Sequence, residues 1–263
     1  MKYLVFLILL ANMSRCTHQD DPVIYKNFMN YKYVNGDVVE VKELYKFVND
    51  NGKINKPAWE MVYSLDKHHR ITSSYMRNLS IEPYDTTGRR KTYFTEDNQI
   101  DSIVTDANGV YRYITRITYL DENRLKIIKS NRKGVKAQET HASHDQNGRP
   151  LISNTTWYNI EGEVDSKTKD EFKYKNGFNK PISHSTTFYD ASDQLIKIEK
   201  RIFIYGEHDE VIAAKIYNEK DSLLQTLRNE QVLDDQNNLL KTTTYKNGKL
   251  NMVVEREFTY KQF

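Results

Sequence analysis

The sequence predicts an all-β fold: a many-stranded antiparallel meander of repeated hairpins forming a curved, twisted sheet, whether an open trough, a coil or an incomplete barrel. Three observations predict it. From Phe47 onward, clusters of Asn, Asp and Gly recur about every fourteen residues, near the spacing of an all-β meander. Of the 10 glycines, only Gly36 lies outside those clusters. The segments between them run for about six to ten residues, the length of strands, and alternate in polarity.

The clusters read as chain reversals. Glycine stands where a positive φ is needed, and Asn or Asp where a side chain can bond its own backbone. Asn51–Gly52, Asn108–Gly109, Asn147–Gly148, Asn176–Gly177 and Asn247–Gly248 are hairpin signals. Tyr84–Asp85–Gly88 is read as a further turn. One pattern occurs three times, at Tyr189–Leu195, Tyr205–Val211 and Tyr217–Leu223: an aromatic residue, a short polar run, then an apolar residue.

Taken in order, Asp37–Val48 is the first clear strand, and the aromatic run Tyr25–Tyr33 before it fits either strand or helix. Arg112–Leu120 places Tyr113, Thr115, Ile117 and Tyr119 on one face and Ile114, Arg116, Thr118 and Leu120 on the other. Lys197–Tyr205 behaves alike. Such strands suit a sheet whose faces are covered unevenly. A chain of 263 residues can bury a core in one or two domains, but 38% apolar residues, 29% charged residues and a mean hydropathy of −0.77 indicate a thin structure. No linker interrupts the repeat, so residues 37–263 are read as one domain. The formal charge of +3, with both signs interspersed, gives no electrostatic reason to expect nucleic acid.

The N-terminus reads as an address. Lys2 precedes the apolar run Tyr3–Ala11, too short for a membrane helix and of the length of a signal-peptide core. Cys16, the only cysteine, follows a few residues later. The arrangement resembles a bacterial lipoprotein signal, with residues 1–15 removed and Cys16 lipidated. Ser14 fits that pattern and Arg15 departs from it, so an ordinary secretory signal stays open. Thr17 after the cysteine implies, by the same resemblance, transport to an outer membrane. Residues 16–36 then form a tether and N-terminal segment, and the anchor would make the membrane a partner.

Tyr84–Gly88 (YDTTG), Tyr189–Leu195 (YDASDQL) and Tyr245–Leu250 (YKNGKL) resemble the YD repeats of RHS-type proteins and the units of MORN-like repeat proteins. The resemblance covers most of Phe47–Phe263. It implies a curled β-sheet shell associated with carbohydrate, and is most like small envelope lipoproteins built from such repeats alone. The conserved core and self-cleaved toxin of large RHS proteins have no counterpart here.

Candidate chemistry is sparse. His141 and His144 fall on opposite strand faces by spacing. His68–His69 lies in a turn, and His184 and His208 stand apart in sequence. Asn49–Gly52 and Asp145–Gly148 suit turns better than calcium loops, which need further ligands. No metal-binding, nucleotide-binding or nucleophile-elbow motif occurs, so no catalytic residue, metal ligand or cofactor is assigned. Trp59, Trp157 and Tyr158 are candidate partner-binding aromatics, with rings suited to stacking on sugars or gripping a protein. The plainer reading, and the favoured one, is that they cap the sheet's hydrophobic stripe beside turns, since aromatics are enriched in strands. The expected function is a non-enzymatic envelope lipoprotein whose sheet binds or scaffolds glycan or protein. An immunity-type neutraliser of a partner protein, and an enzyme with a site on the concave face, are the alternatives.

Overall fold

The protein is described from a computed structural model, which describes residues 34–261 apart from 50, 81–85, 97–98, 108–110 and 207–210. Eight chain reversals among the described residues share one side-chain device. The Oδ1 atom of an Asn or Asp accepts hydrogen bonds from the backbone N–H groups two and four residues on. Asn49 takes them from Asn51 and Lys53 at 3.1 and 3.0 Å, and Asp145 from Asn147 and Arg149, both at 2.9 Å. Asp66, Asn131, Asn159, Asp190, Asn218 and Asp234 repeat the device. The fourth residue of each turn is left-handed. Gly52 at φ 75° and Gly134 at 81° reach that region freely, whereas His69, Asp193, Asp221 and Asn237 reach it at 56°, 67°, 54° and 62° against their side chains.

Between reversals the chain has no better use for its backbone groups than the neighbouring segment. The strands are β1 Val38–Phe47, β2 Trp59–Leu65, β3 Ile71–Asn78, β4 Thr86–Phe94, β5 Ile100–Ala107, β6 Tyr111–Tyr119, β7 Arg124–Asn131 and β8 Lys136–His144. They continue as β9 Pro150–Tyr158, β10 Val164–Tyr174, β11 Pro181–Asp190, β12 Leu195–Tyr205, β13 Val211–Tyr217, β14 Leu223–Leu233, β15 Leu239–Lys246 and β16 Lys249–Tyr260. Each strand pairs antiparallel with the next, and β1 pairs with β16 from Val38↔Tyr260 to Phe47↔Met252.

The antiparallel meander is therefore present, but the sheet is not an open trough, a coil or an incomplete barrel. It is a closed barrel of 16 strands. The reason is the long β1–β16 seam, which gives both end strands a partner and leaves no edge. A second difference is local. Gly88 does not belong to a turn; it sits inside β4 opposite Met76. The N-terminal signal, Cys16, the tether, Tyr25–Tyr33 and Glu207–Glu210 lie outside the described residues.

Residues directly opposite one another across strands share a face, and the register can be followed around the barrel. Val41, Tyr63, Ser74, Arg90, Thr105 and Tyr113 are consecutive on one face. That face holds most of the buried side chains, among them Val41, Ile103, Ile117, Leu125, Phe203 and Val254. Ile71 of β3 packs against both the Val41–Tyr63 cluster and the Ile100–Ile103–Ile117 cluster. Side chains converge this way on a concave surface, so this is the inner wall. Burying one such aliphatic side chain is worth about 1.5–3 kcal/mol. A circular barrel of sixteen strands about 4.8 Å apart and tilted by about 40° has a backbone radius of about 16 Å.

Candidate functional site

The inner wall is two-sided. From β13 through β16 and β1 to β7 it is largely apolar. From β8 to β12 it is lined by hydroxyls, an amide, charged groups and rings. Thr140, Thr155 and Thr168 lie in one row across three strands. The Oγ1 atoms of Thr140 and Thr155 are 2.9 Å apart, and Gln138 Nε2 donates to Thr140 at 3.1 Å. Trp157 stands beside Gln138 and Ser166 in register, with 37% of its surface exposed.

Lower on the same wall, Asp170 gathers three neighbours. Its Oδ1 lies 2.8 Å from His184 Nε2 and accepts from Thr186 Oγ1 at 2.7 Å. Its Oδ2 accepts from Ser153 Oγ at 3.4 Å. Phe172 stacks on the His184 ring at 4.5 Å and 2°. His184 stands apart in sequence; the fold pairs it with Asp170, fourteen positions away, because β10 and β11 are adjacent. Ser153 reaches the acid rather than the histidine. Thr186 Oγ1 does approach His184 Nε2, at 3.2 Å, but that is the nitrogen Asp170 also faces; a relay needs the acid and the nucleophile on opposite ring nitrogens, so this geometry is not that of an acyl-transfer triad. It is a polar wall, with Arg201 opposite His184 in register and its Nε buried without a hydrogen-bond partner among the described residues.

The outer wall carries charge at mid-strand: Lys42 on β1, Arg116 on β6, Lys169 on β10, Lys200 on β12, Lys215 on β13 and Arg228 on β14. Most of its bases are paired with acids, as in Lys42–Glu257 at 3.1 Å and Lys126–Glu139 at 2.8 Å. A membrane-spanning barrel presents an apolar band about 25 Å tall, and a base at the bilayer midplane costs about 2–4 kcal/mol. The inner wall also holds ions: Glu43, Lys129, Asp170, Glu199, Arg201 and Arg256. Both walls therefore carry ionisable side chains among their apolar ones.

The chain shares its fold with a porin-like protein. A porin-like protein from Bacteroides vulgatus is similar at 11% identity with a TM-score of 0.51, over 87% of this chain and 100% of that one. A porin-like protein from Bacteroides uniformis matches at 9% identity with a TM-score of 0.49, over 86% of this chain and 98% of that one. No protein-family model matches the chain, and no curated protein matches it in sequence. The resemblance to YD repeats of RHS-type proteins and to MORN-like repeats is overturned: the likeness in fold is to a porin-like protein, and the hairpins close into one barrel. The tyrosine-plus-turn units arise because an aromatic residue at a strand end precedes an Asx turn, as Tyr189 precedes Asp190.

Of the aromatics singled out in the sequence, Trp59 opens β2 opposite Tyr45 and packs against the Tyr45–Met252–Val254 cluster. Trp157 belongs to β9, seven strands away. Tyr158 follows it at the strand end, under the Lys136 ammonium at 5.5 Å. The fold does not bring Trp59 together with the other two. His141 is on the outer wall, 3.0 Å from Glu139, while His144 is buried on the inner side, where burial holds its imidazole below the usual range. Among the described residues no group of three His, Cys, Asp or Glu could hold a metal ion. In the two loops weighed as calcium sites, Asn49 and Asp145 turn their oxygens onto their own backbone. The Asp170 cluster had no local signal: its members are spaced 14 to 17 apart in the chain.

Proposed function

We propose that this chain is an exported, non-enzymatic binding protein of the cell envelope that takes a glycan on the inner wall of β8–β12. The observation that carries the reading is the half-open Trp157 ring beside Gln138, on a wall of Thr, Ser and Asp side chains. An indole face stacks on the C–H face of a sugar, and hydroxyl and amide groups exchange hydrogen bonds with its hydroxyls. A barrel of this size leaves room for an oligosaccharide. The signal-like N-terminus supports an envelope location, with Cys16 as the lipid-bearing residue and the membrane as anchor rather than as solvent.

Titration calorimetry against neutral oligosaccharides tests the binding role. Binding that weakens about tenfold in Trp157→Ala, or about 1.4 kcal/mol, is expected. An absence of binding, or equal binding by Trp157→Ala, defeats the reading. Mass spectrometry of the N-terminus from native membranes tests Cys16 separately: a diacylated or triacylated cysteine supports the anchor, and an unmodified cysteine or a cleavage elsewhere removes it.

A further inference from the structure

A groove of about 410 Å³ lies over β3, β4 and β5, away from the β8–β12 wall. On the outer wall its lining holds Arg77, Arg89 and Lys91 against a single carboxylate, Asp106, while Arg90 belongs to the inner face. Most outer-wall bases elsewhere meet acids, as Lys46 meets Glu255, Lys167 meets Asp193 and Arg228 meets Glu230, whereas here two unpaired bases stand side by side. Arg77 reaches Glu60 at 3.4 Å. Among the described residues, Arg89 and Lys91 have no ion-pair partner, although both are exposed and stand two residues apart on the same face.

Two tyrosines organise the cations. Arg77 lies over the Tyr75 ring at 4.7 Å and Lys91 over the Tyr93 ring at 5.2 Å. Tyr75 is directly opposite Arg89, so Tyr75, Arg89, Lys91 and Tyr93 form one patch on the outer wall. A cation held over a ring has fewer rotamers left to lose when an anion arrives. Guanidinium groups also accept phosphate oxygens in a two-pronged geometry.

We propose that this groove binds a phosphate-bearing ligand, with Arg89 and Lys91 as its principal contacts. The site is separate from the glycan wall and does not depend on it. A phosphate can arrive on a soluble sugar or on a lipid headgroup, and the same side chains would hold either.

The test uses the full mature chain with three probes: glucose 6-phosphate, glucose, and vesicles of phosphatidylcholine with one-fifth phosphatidic acid. The expected result is saturable binding of glucose 6-phosphate or of the vesicles, none of glucose in the groove, and at least a tenfold loss in an Arg89→Gln/Lys91→Gln double variant. Binding should weaken as salt rises from 0.05 to 0.3 M. Saturation by glucose 6-phosphate assigns a soluble source; response to vesicles alone assigns a headgroup. Trp157→Ala should bind the phosphate probes normally, which separates this site from the inner wall. Because both substituted residues are exposed, unchanged thermal unfolding checks that the double variant is folded. No binding of either phosphate probe, or equal binding by the folded double variant, overturns the proposal.

Discussion

Glu43 and Arg256 face each other across the seam that closes the barrel, with 2.8 Å between Oε1 and Nε and 213 residues of chain between them. Both are buried on the inner wall, at 4% and 9% exposure. Tyr45 donates to Glu43 Oε2 at 2.6 Å, Tyr63 donates to the same oxygen at 3.2 Å, and Arg256 donates to Thr242 at 3.1 Å. Burial and the adjacent Glu43 carboxylate push the Tyr45 hydroxyl well above its ordinary pKa, so it stays a donor. The charges are thus paired and also hydrogen-bonded, the condition under which a buried ion pair is tolerated.

Removing one partner strands the other. Glu43→Leu or Arg256→Met should destabilise the barrel by about 3–5 kcal/mol, whereas the paired change Glu43→Leu/Arg256→Met should cost less than either single change. Urea unfolding of the four proteins measures this. Additive losses would mean that the two residues act independently.

The turn device makes a second prediction with two signs. Asn218→Ala removes bonds to Lys220 and Ser222 at 3.0 and 2.9 Å and should cost about 1 kcal/mol. Asp221→Gly, in the same turn, relieves a left-handed aspartate at φ 54° and should gain up to about 1 kcal/mol. Its lost contact with Lys200 is an exposed pair at 3.4 Å and offsets little. Shifts of the denaturation midpoint in the same direction for both variants would contradict the turn assignment.

Acid should weaken the fold through two groups. Hydrogen bonds from Lys126, Lys136 and His141 lower Glu139 to about 2 from 4.5. A depressed carboxylate contributes stability that is present above 4.5 and lost as pH falls through about 2. His144 is held below 6.5 by burial, so the folded chain binds fewer protons there than the unfolded one. Stability should therefore begin to fall as pH drops through 6.5, and fall further below 4.5. Glu139→Gln should make the lower limb shallower, Asp121, Asp190, Glu230 and Asp234 being lowered as well, and leave the upper one in place. Stability profiles from pH 8 to pH 3 check both limbs.

The hairpins were legible because each turn is written in consecutive residues. An oxygen donor at Asp145 and a Gly at 148 specify the reversal without any distant partner. Where Asp193 or Asp221 replaces Gly, the Asx side chain still marks the turn. Closure was not legible. Nothing local to Val38–Phe47 names Lys249–Tyr260 as its neighbour, and mixed polarity on both faces hides which wall is inner. The Asp170–His184–Thr186 cluster was hidden for the same reason, since register and not spacing brings its members together. The repeat resemblance misled because tyrosines at strand ends serve a different end here. Tyr174 and Tyr205 donate to the carbonyls of Pro150 and Pro181, 2.9 and 2.8 Å away, and tie alternate hairpins together.

The account rests on a closed barrel whose outer wall carries charge at mid-strand. Sedimentation velocity of the chain from Thr17 onward, in detergent-free buffer, tests it most directly. A single monomeric species is the predicted result. Aggregates that disperse into monomers only when detergent is added would contradict it.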